Sequence, residues 1–139
     1  MPAHDFQAMK LDHIGIAVRS IDDRLALWRD IFGLKVKLIE EVVEQKVRLA
    51  MLDSGEVSIE LLEPLAEDSP IAKFIEKRGE GLHHLSFRVD DIKETIEAFK
   101  KGNVKMIDEV PRKGSHGAMI AFIHPASTGS LLIELCQKE

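Results

Sequence analysis

Two histidines and two glutamates stand in stretches that read as β-strands, where such side chains need a reason. His13 lies in Leu11-Asp12-His13-Ile14-Gly15-Ile16-Ala17-Val18, and His84 in Leu82-His83-His84-Leu85-Ser86-Phe87-Arg88-Val89. Glu60 lies in Ile59-Glu60-Leu61-Leu62, and Glu134 in Ile133-Glu134-Leu135-Cys136. Taken singly, each has an ordinary structural explanation: a satisfied core histidine, or a glutamate on a partly exposed strand. Taken together, they repeat. The histidines are 71 positions apart (84 − 13) and the glutamates 74 (134 − 60). A carboxylate in an apolar strand is costly to bury unless it is paired or ligates a metal. Two imidazole nitrogens and two carboxylate oxygens suit a divalent ion such as Co²⁺, Mn²⁺, Ni²⁺ or Zn²⁺, with positions left open for water or substrate.

The elements that must position these residues repeat as well. Successive strand residues face opposite sides, so His13, Gly15 and Ala17 share one face and Ile14, Ile16 and Val18 the other. Each histidine strand runs into a helical pattern. Ile21, Leu25, Trp28 and Phe32 follow a 3.6-residue period, as do Ile92, Ile96 and Phe99. Gly33 and Gly102 are stop signals. After the first helix come a strand over 35–43, in which Val36, Leu38 and Glu40 alternate against Lys37, Ile39 and Glu41, and a turn at Glu44-Gln45-Lys46. A strand carrying Val47, Leu49 and Met51 on one face follows, then a hairpin signal at Asp53-Ser54-Gly55 and a strand over 56–63. The second module predicts a weak strand near 104–110, a turn-rich loop over 111–117, and strands over 118–124 and 130–136. Internal repetition dictates architecture. The fold class is α+β, two βαβββ modules forming one metal-binding cleft. Module 1 spans about 10–64 and module 2 about 81–138. A connector helix over about 68–79 is capped by Ser69, with Pro70 in its first turn.

Composition narrows the class. The 139 residues are 45% hydrophobic and 31% charged, ordinary for one globular domain. A net charge of −5 provides no basic footprint for nucleic acid. No apolar run approaches the roughly 20 residues of a membrane span. The single cysteine, Cys136, excludes an internal disulfide and fits a cytoplasmic, reducing setting. Residues 1–9 read as a disordered or non-native extension, with Met9 as an alternative start and His4 a solvated tail residue.

The doubled βαβββ pattern with His and Glu on first and last strands resembles the vicinal oxygen chelate superfamily and, within it, the methylmalonyl-CoA epimerase family. The resemblance runs from about Lys10 to Lys138. Beyond the strands above, it rests on Glu63-Pro64-Leu65, Asp68-Ser69-Pro70-Ile71-Ala72-Lys73-Phe74, Gly81-Leu82-His83-His84, Gly114-Ser115-His116-Gly117 and Phe122-Ile123-His124-Pro125. It implies metal ligands at His13, Glu60, His84 and Glu134, with Co²⁺ favoured, and an acyl-CoA substrate. The implied reaction exchanges 2R- and 2S-methylmalonyl-CoA by removal and return of an α-proton through a metal-stabilised enolate. It also implies a homodimer and a substrate-binding loop at Ser115, His116 and Gly117.

One departure bears on the acid–base groups. Some epimerases of this family carry a second catalytic glutamate on the third strand, and Leu49 stands there. Glu134 or Glu60 then serves as both ligand and base, with water or His116 on the other face of the substrate; His83 faces away and is structural. Three alternatives remain at this level. A glyoxalase I-type lactoylglutathione lyase shares the His/Glu set but not the 68–74 helix or the 115–117 loop. An extradiol dioxygenase needs two His and one Glu for Fe²⁺, leaving Glu60 unexplained. A metal-free small-molecule-binding protein would not need four matched ligands.

Overall fold

The computed structural model describes residues 8–138. The strands are β1 (Lys10–Ala17), β2 (Lys35–Val42), β3 (Val47–Ser54), β4 (Val57–Pro64), β5 (Gly81–Arg88), β6 (Arg112–Lys113), β7 (Met119–Ile123) and β8 (Ile133–Gln137). The helices are α1 (Ile21–Trp28), α2 (Pro70–Arg78) and α3 (Ile92–Lys101). The order is βαβββ, a connector helix, and βαβββ again. The described chain divides into two compact units, one of residues 13–83 and one of residues from 84 onward together with those up to 12. They are called here the N-unit and the C-unit. The expected extension over 1–9 lies, but for Ala8 and Met9, outside the described residues. Met9 itself packs against the apolar core of the C-unit.

In the N-unit, β2, β3, β4 and β1 are neighbours in that order; β1 and β4 are parallel and the other pairs antiparallel. Helix α1 starts at Ser20, whose hydroxyl accepts the Asp23 amide. Its Ile21 and Leu25 pack on Val18, Ala50, Leu52 and Leu61, one face of the sheet. The periodic pattern predicts this helix to reach Phe32, but it ends at Trp28. Ile31 and Phe32 are 74% and 57% exposed, so no burial holds a further turn. Helix α2 forms as expected. Ser69 accepts the Ile71 and Ala72 amides, Pro70 opens the first turn, and Gly79 caps the end at φ 77°. Its Ile71 and Ile75 pack on Ala17, Val47, Leu49 and Leu62, part of the opposite face. Each such buried aliphatic side chain stabilises by about 1.5–3 kcal/mol.

The alternation expected along β2 is interrupted. The register shifts between Val36, which pairs with Leu52, and Leu38, which pairs with Met51. The extra residue at this β-bulge reverses the parity of the strand. Val36 packs with the α1 core, whereas Leu38 packs with the α2 core. From Leu38 onward the strand therefore addresses the face that carries Leu49 and Met51.

In the C-unit the neighbours are β5, β8, β7 and β6, with β5 and β8 parallel. Ile92 and Ile96 of α3 pack with Val89, Met106, Ala121, Ile123 and Leu135. The strand expected near 104–110 does not form. One isolated bridge joins Met106 to Ile123, and the Asp108 carboxylate accepts the Phe122 amide at 2.8 Å. A side chain thus takes the place of a ladder bond, and the strand that pairs with β7 on the edge away from β8 is the two-residue β6. The start of β1 is held by Asp12, 3% exposed. It accepts from Arg88 at 2.7 Å and pairs with Lys138 at 2.8 Å.

Candidate functional site

In the N-unit, parallel pairing of β1 with β4 sets Gly15 beside Glu60 and His13 beside Ser58. Paired residues of parallel strands point to the same side, so His13 and Glu60 share a face. His13 Nε2 lies 3.5 Å from Glu60 Oε1, and the residues are 6% and 5% exposed. The β2 bulge adds a cation to this face. Lys37 Nζ donates to Ser58 Oγ at 2.6 Å.

The C-unit repeats the construction. β5 pairs with β8 so that Ser86 sits beside Glu134, the place that Gly15 holds beside Glu60. His84 and Glu134 are buried, 4% and 6% exposed, with ligand atoms within 4.8 Å of each other. Ser86 Oγ donates to Glu134 Oε1 at 2.7 Å, and Ser86 is fully buried. The His84 ring stands edge-on to Phe122 at 6.0 Å, and the Arg112 guanidinium lies over the Phe122 ring, 5.6 Å from its centre. Ser86, the hydrogen-bond partner of Glu134, is a residue of this candidate site that sequence reasoning missed. Its signal was strand alternation, which puts residues 84 and 86 on one face, with the 71-residue offset matching Ser86 to Gly15.

The remaining candidates fall as follows. Ser115, His116 and Gly117 form a single 3₁₀ turn, with His116 exposed and held at φ 60°. A non-glycine residue in this left-handed region is strained. His83 stacks edge-on against Phe74 of α2 at 5.0 Å, a structural contact. Leu49 is 3% exposed and belongs to the apolar cluster under α2. Burial pushes the Cys136 thiol up to about 12, which keeps it protonated near neutral pH.

Each unit therefore carries one buried His–Glu pair on adjacent parallel strands. A buried carboxylate beside an imidazole, on strands that are otherwise largely apolar, is a donor pair suited to a borderline divalent ion. The residues present fit such an ion. Apart from the ion, a carboxylate oriented by a side-chain donor is a type of group that can exchange a proton with a carbon acid.

Known proteins resemble this chain along most of its length. A family model described as "Glyoxalase/Bleomycin resistance protein/Dioxygenase superfamily" matches residues 12–122. An uncharacterised protein of Bacillus subtilis, YqjC, is 45% identical over 128 residues, 92% of this chain and 91% of the other. The mitochondrial methylmalonyl-CoA epimerase of Dictyostelium discoideum is 35% identical over 130 residues, 93% of this chain and 78% of the other. A solved methylmalonyl-CoA epimerase in complex with methylmalonyl-CoA and NH4+ matches with a TM-score of 0.88 and 36% identity, covering 95% of this chain and 96% of the other. A superfamily match across most of the chain, joined to nearly full-length identity with named epimerases, places this chain in the glyoxalase superfamily and, within it, in the methylmalonyl-CoA epimerase family.

Proposed function

We propose that this chain is a divalent-metal-dependent epimerase that interconverts the 2R and 2S forms of methylmalonyl-CoA. The observation that carries the reading is the matched pair of buried half-sites, His13 with Glu60 and His84 with Glu134. In this reading all four residues hold one ion, with Co²⁺ favoured over Mn²⁺, Ni²⁺ or Zn²⁺. When bound, the ion supplies Lewis-acid stabilisation of negative charge on substrate oxygens. The protein does the rest. Glu134, oriented by Ser86, takes the α-proton with its second oxygen. Apolar strand residues exclude water from the carbanion. Ser115, His116 and Gly117 contact the acyl-CoA, and the exposed His116 exchanges protons with solvent. The chain works in this reading as a cytoplasmic homodimer.

The experiment is solvent exchange. Purified protein with methylmalonyl-CoA in D₂O should incorporate deuterium at the α-carbon and racemise it, and chelator treatment should abolish both. Intact α-protons after prolonged incubation of metal-replete protein would refute the reading. The lyase alternative is tested in parallel with a glutathione hemithioacetal, on which no turnover is expected.

A further inference from the structure

Lys37 is the extra residue of the β2 bulge, so its side chain is released from the alternation of the strand. Its ammonium reaches past β3 to the Ser58 hydroxyl on β4, at 2.6 Å. Ser58 is 6% exposed and lies in the ladder between Asp53 of β3 and His13 of β1. The next row carries Met51, Glu60 and Gly15. From the spacing of adjacent strands, the ammonium stands on the order of 7 Å from the strand that carries His13. The bulge thus brings a cation from the edge of the N-unit to the buried His13–Glu60 pair.

A lysine on an edge strand usually stands in water and discourages further strand pairing. Lys37, though exposed, instead gives up rotamer freedom to hold its head against a buried hydroxyl. A hydroxyl orients an ammonium without cancelling its charge, and Ser58 takes only one of three donors. Asp53, the carboxylate of the same row, is exposed and accepts the Gly55 amide in the hairpin. Glu60 puts a negative charge where an anionic substrate has to approach, and a fixed cation offsets it.

We propose that Lys37 determines substrate specificity: anchored by Ser58, its ammonium binds the carboxylate of a malonyl-type acyl group and selects carboxylated over plain acyl-CoA. This rests on the epimerase reading above and deepens it. A malonyl unit carries its carboxylate one carbon from the thioester. The carboxylate of a substrate seated at the His13–Glu60 pair is therefore within reach of Lys37. The phosphates of CoA hang beyond the whole pantetheine arm from that carbon, so position favours the carboxylate as the anion met here. Lysine serves such a group as a point charge on a flexible stem, and no bond forms or breaks at Lys37.

Calorimetric titration of metal-loaded protein with malonyl-CoA, propionyl-CoA and CoA itself tests this. Lys37→Gln should bind malonyl-CoA about 10–100-fold more weakly, the range for a lost hydrogen bond to a charged group, and bind the other two unchanged. Ser58→Ala, which keeps the lysine but removes its anchor, should show the same selective loss to a smaller degree. Lys35→Gln removes a charge from the same strand, at the position paired with Asp53, and should leave all three affinities unchanged. Thermal melts establish that the variants are folded. Equal weakening of all three ligands by Lys37→Gln means that Lys37 meets a phosphate, and overturns the proposal. Unchanged malonyl-CoA affinity overturns it too, as does an equal selective loss in Lys35→Gln. Either result beside intact α-proton exchange on methylmalonyl-CoA refutes the role of Lys37 alone. If the unsubstituted protein exchanges no α-proton, the epimerase reading fails and the proposal falls with it.

Discussion

Ser86 Oγ donates a 2.7 Å hydrogen bond to Glu134 Oε1, while the matching position beside Glu60 is Gly15, which has no side chain to donate. The parallel strand pairs of the two modules are alike in register and differ in this contact. The hydroxyl orients the Glu134 carboxylate, and this asymmetry supports the proposal that the base lies in the second module. Ser86→Ala removes a hydrogen bond to a buried charged group and should lower unfolding stability by about 1.5–3 kcal/mol. It should also lower epimerisation by about 10–100-fold, the usual effect of losing a partner that orients a site residue. Denaturant melts and turnover rates on the same preparation check both.

Glu134 and Glu60 should respond differently to the same isosteric change. Gln keeps an oxygen ligand and removes a proton acceptor. Glu134→Gln should retain metal and lose about three orders of magnitude in rate, within the range for a removed general base. Glu60→Gln should retain metal and most of the rate. Metal content and epimerisation measured side by side decide, and the reverse pattern would move the base to the first module.

His13→Ala removes a nitrogen donor 3.5 Å from a carboxylate that is 5% exposed. Loss of metal, activity and stability is expected together, since breaking a buried charged pair leaves the other member uncompensated. Elemental analysis and thermal denaturation are the measurements. A His13→Ala protein with stoichiometric metal would show that the ligand set is wrong.

Glu80 makes a pH-dependent brace in the N-unit. It accepts from Arg24 at 2.8 Å and from the Arg19 amide at 3.1 Å. The Arg24 hydrogen bond, followed by the Arg19 amide and both guanidinium charges, lowers its carboxyl from 4.5 to about 2. The folded-state value is depressed, so the contribution to stability is complete above 4.5 and is lost as pH falls towards 2. Glu80→Gln should therefore melt below the unsubstituted protein at pH 7, with the gap closing between those two values. High salt should narrow the gap at pH 7.

Cys136 is 2% exposed, and its thiol is pushed up to about 12. Iodoacetamide at pH 8 should leave it unlabelled in the folded protein and modify it after denaturation. Mass spectrometry reads the difference, and rapid labelling of folded protein would show that β8 opens readily.

Much of this architecture was legible because it follows from local rules. Ser69, Pro70 and Gly79 fix α2 through capping chemistry, and strand alternation put His13, Gly15 and Ala17 on one face. What escaped depends on partners distant in sequence. Asp108 is bonded to the Phe122 amide, fourteen residues on, and this replaces the strand expected near 104–110. Helix α1 ends before Phe32 because Ile31 and Phe32 stay mostly exposed, which periodicity alone does not show. The four proposed ligands stood out only because the chain repeats, since each has a plausible structural explanation alone. Ser86 went unnoticed because alternation shows only that it shares a face with His84, and its bond to Glu134 needs the β5–β8 register.

The single extra residue in β2 gives that strand something like a reading frame. Upstream of Lys37, its inward residues belong to the α1 core; downstream, the same parity addresses the α2 core and Glu40. Deleting Lys37 would remove the extra residue and leave the facing intact: Val36 would still meet the α1 core and Leu38, Glu40 and Val42 the face of the α2 core, at the loss of the Lys37–Ser58 hydrogen bond. Deleting Ile39 instead would turn Glu40 and Val42 to the other face, because every later residue changes sides. The bulge is thus the place in β2 where a one-residue deletion is read in frame, whereas downstream of it the count of residues is as strongly constrained as their identity.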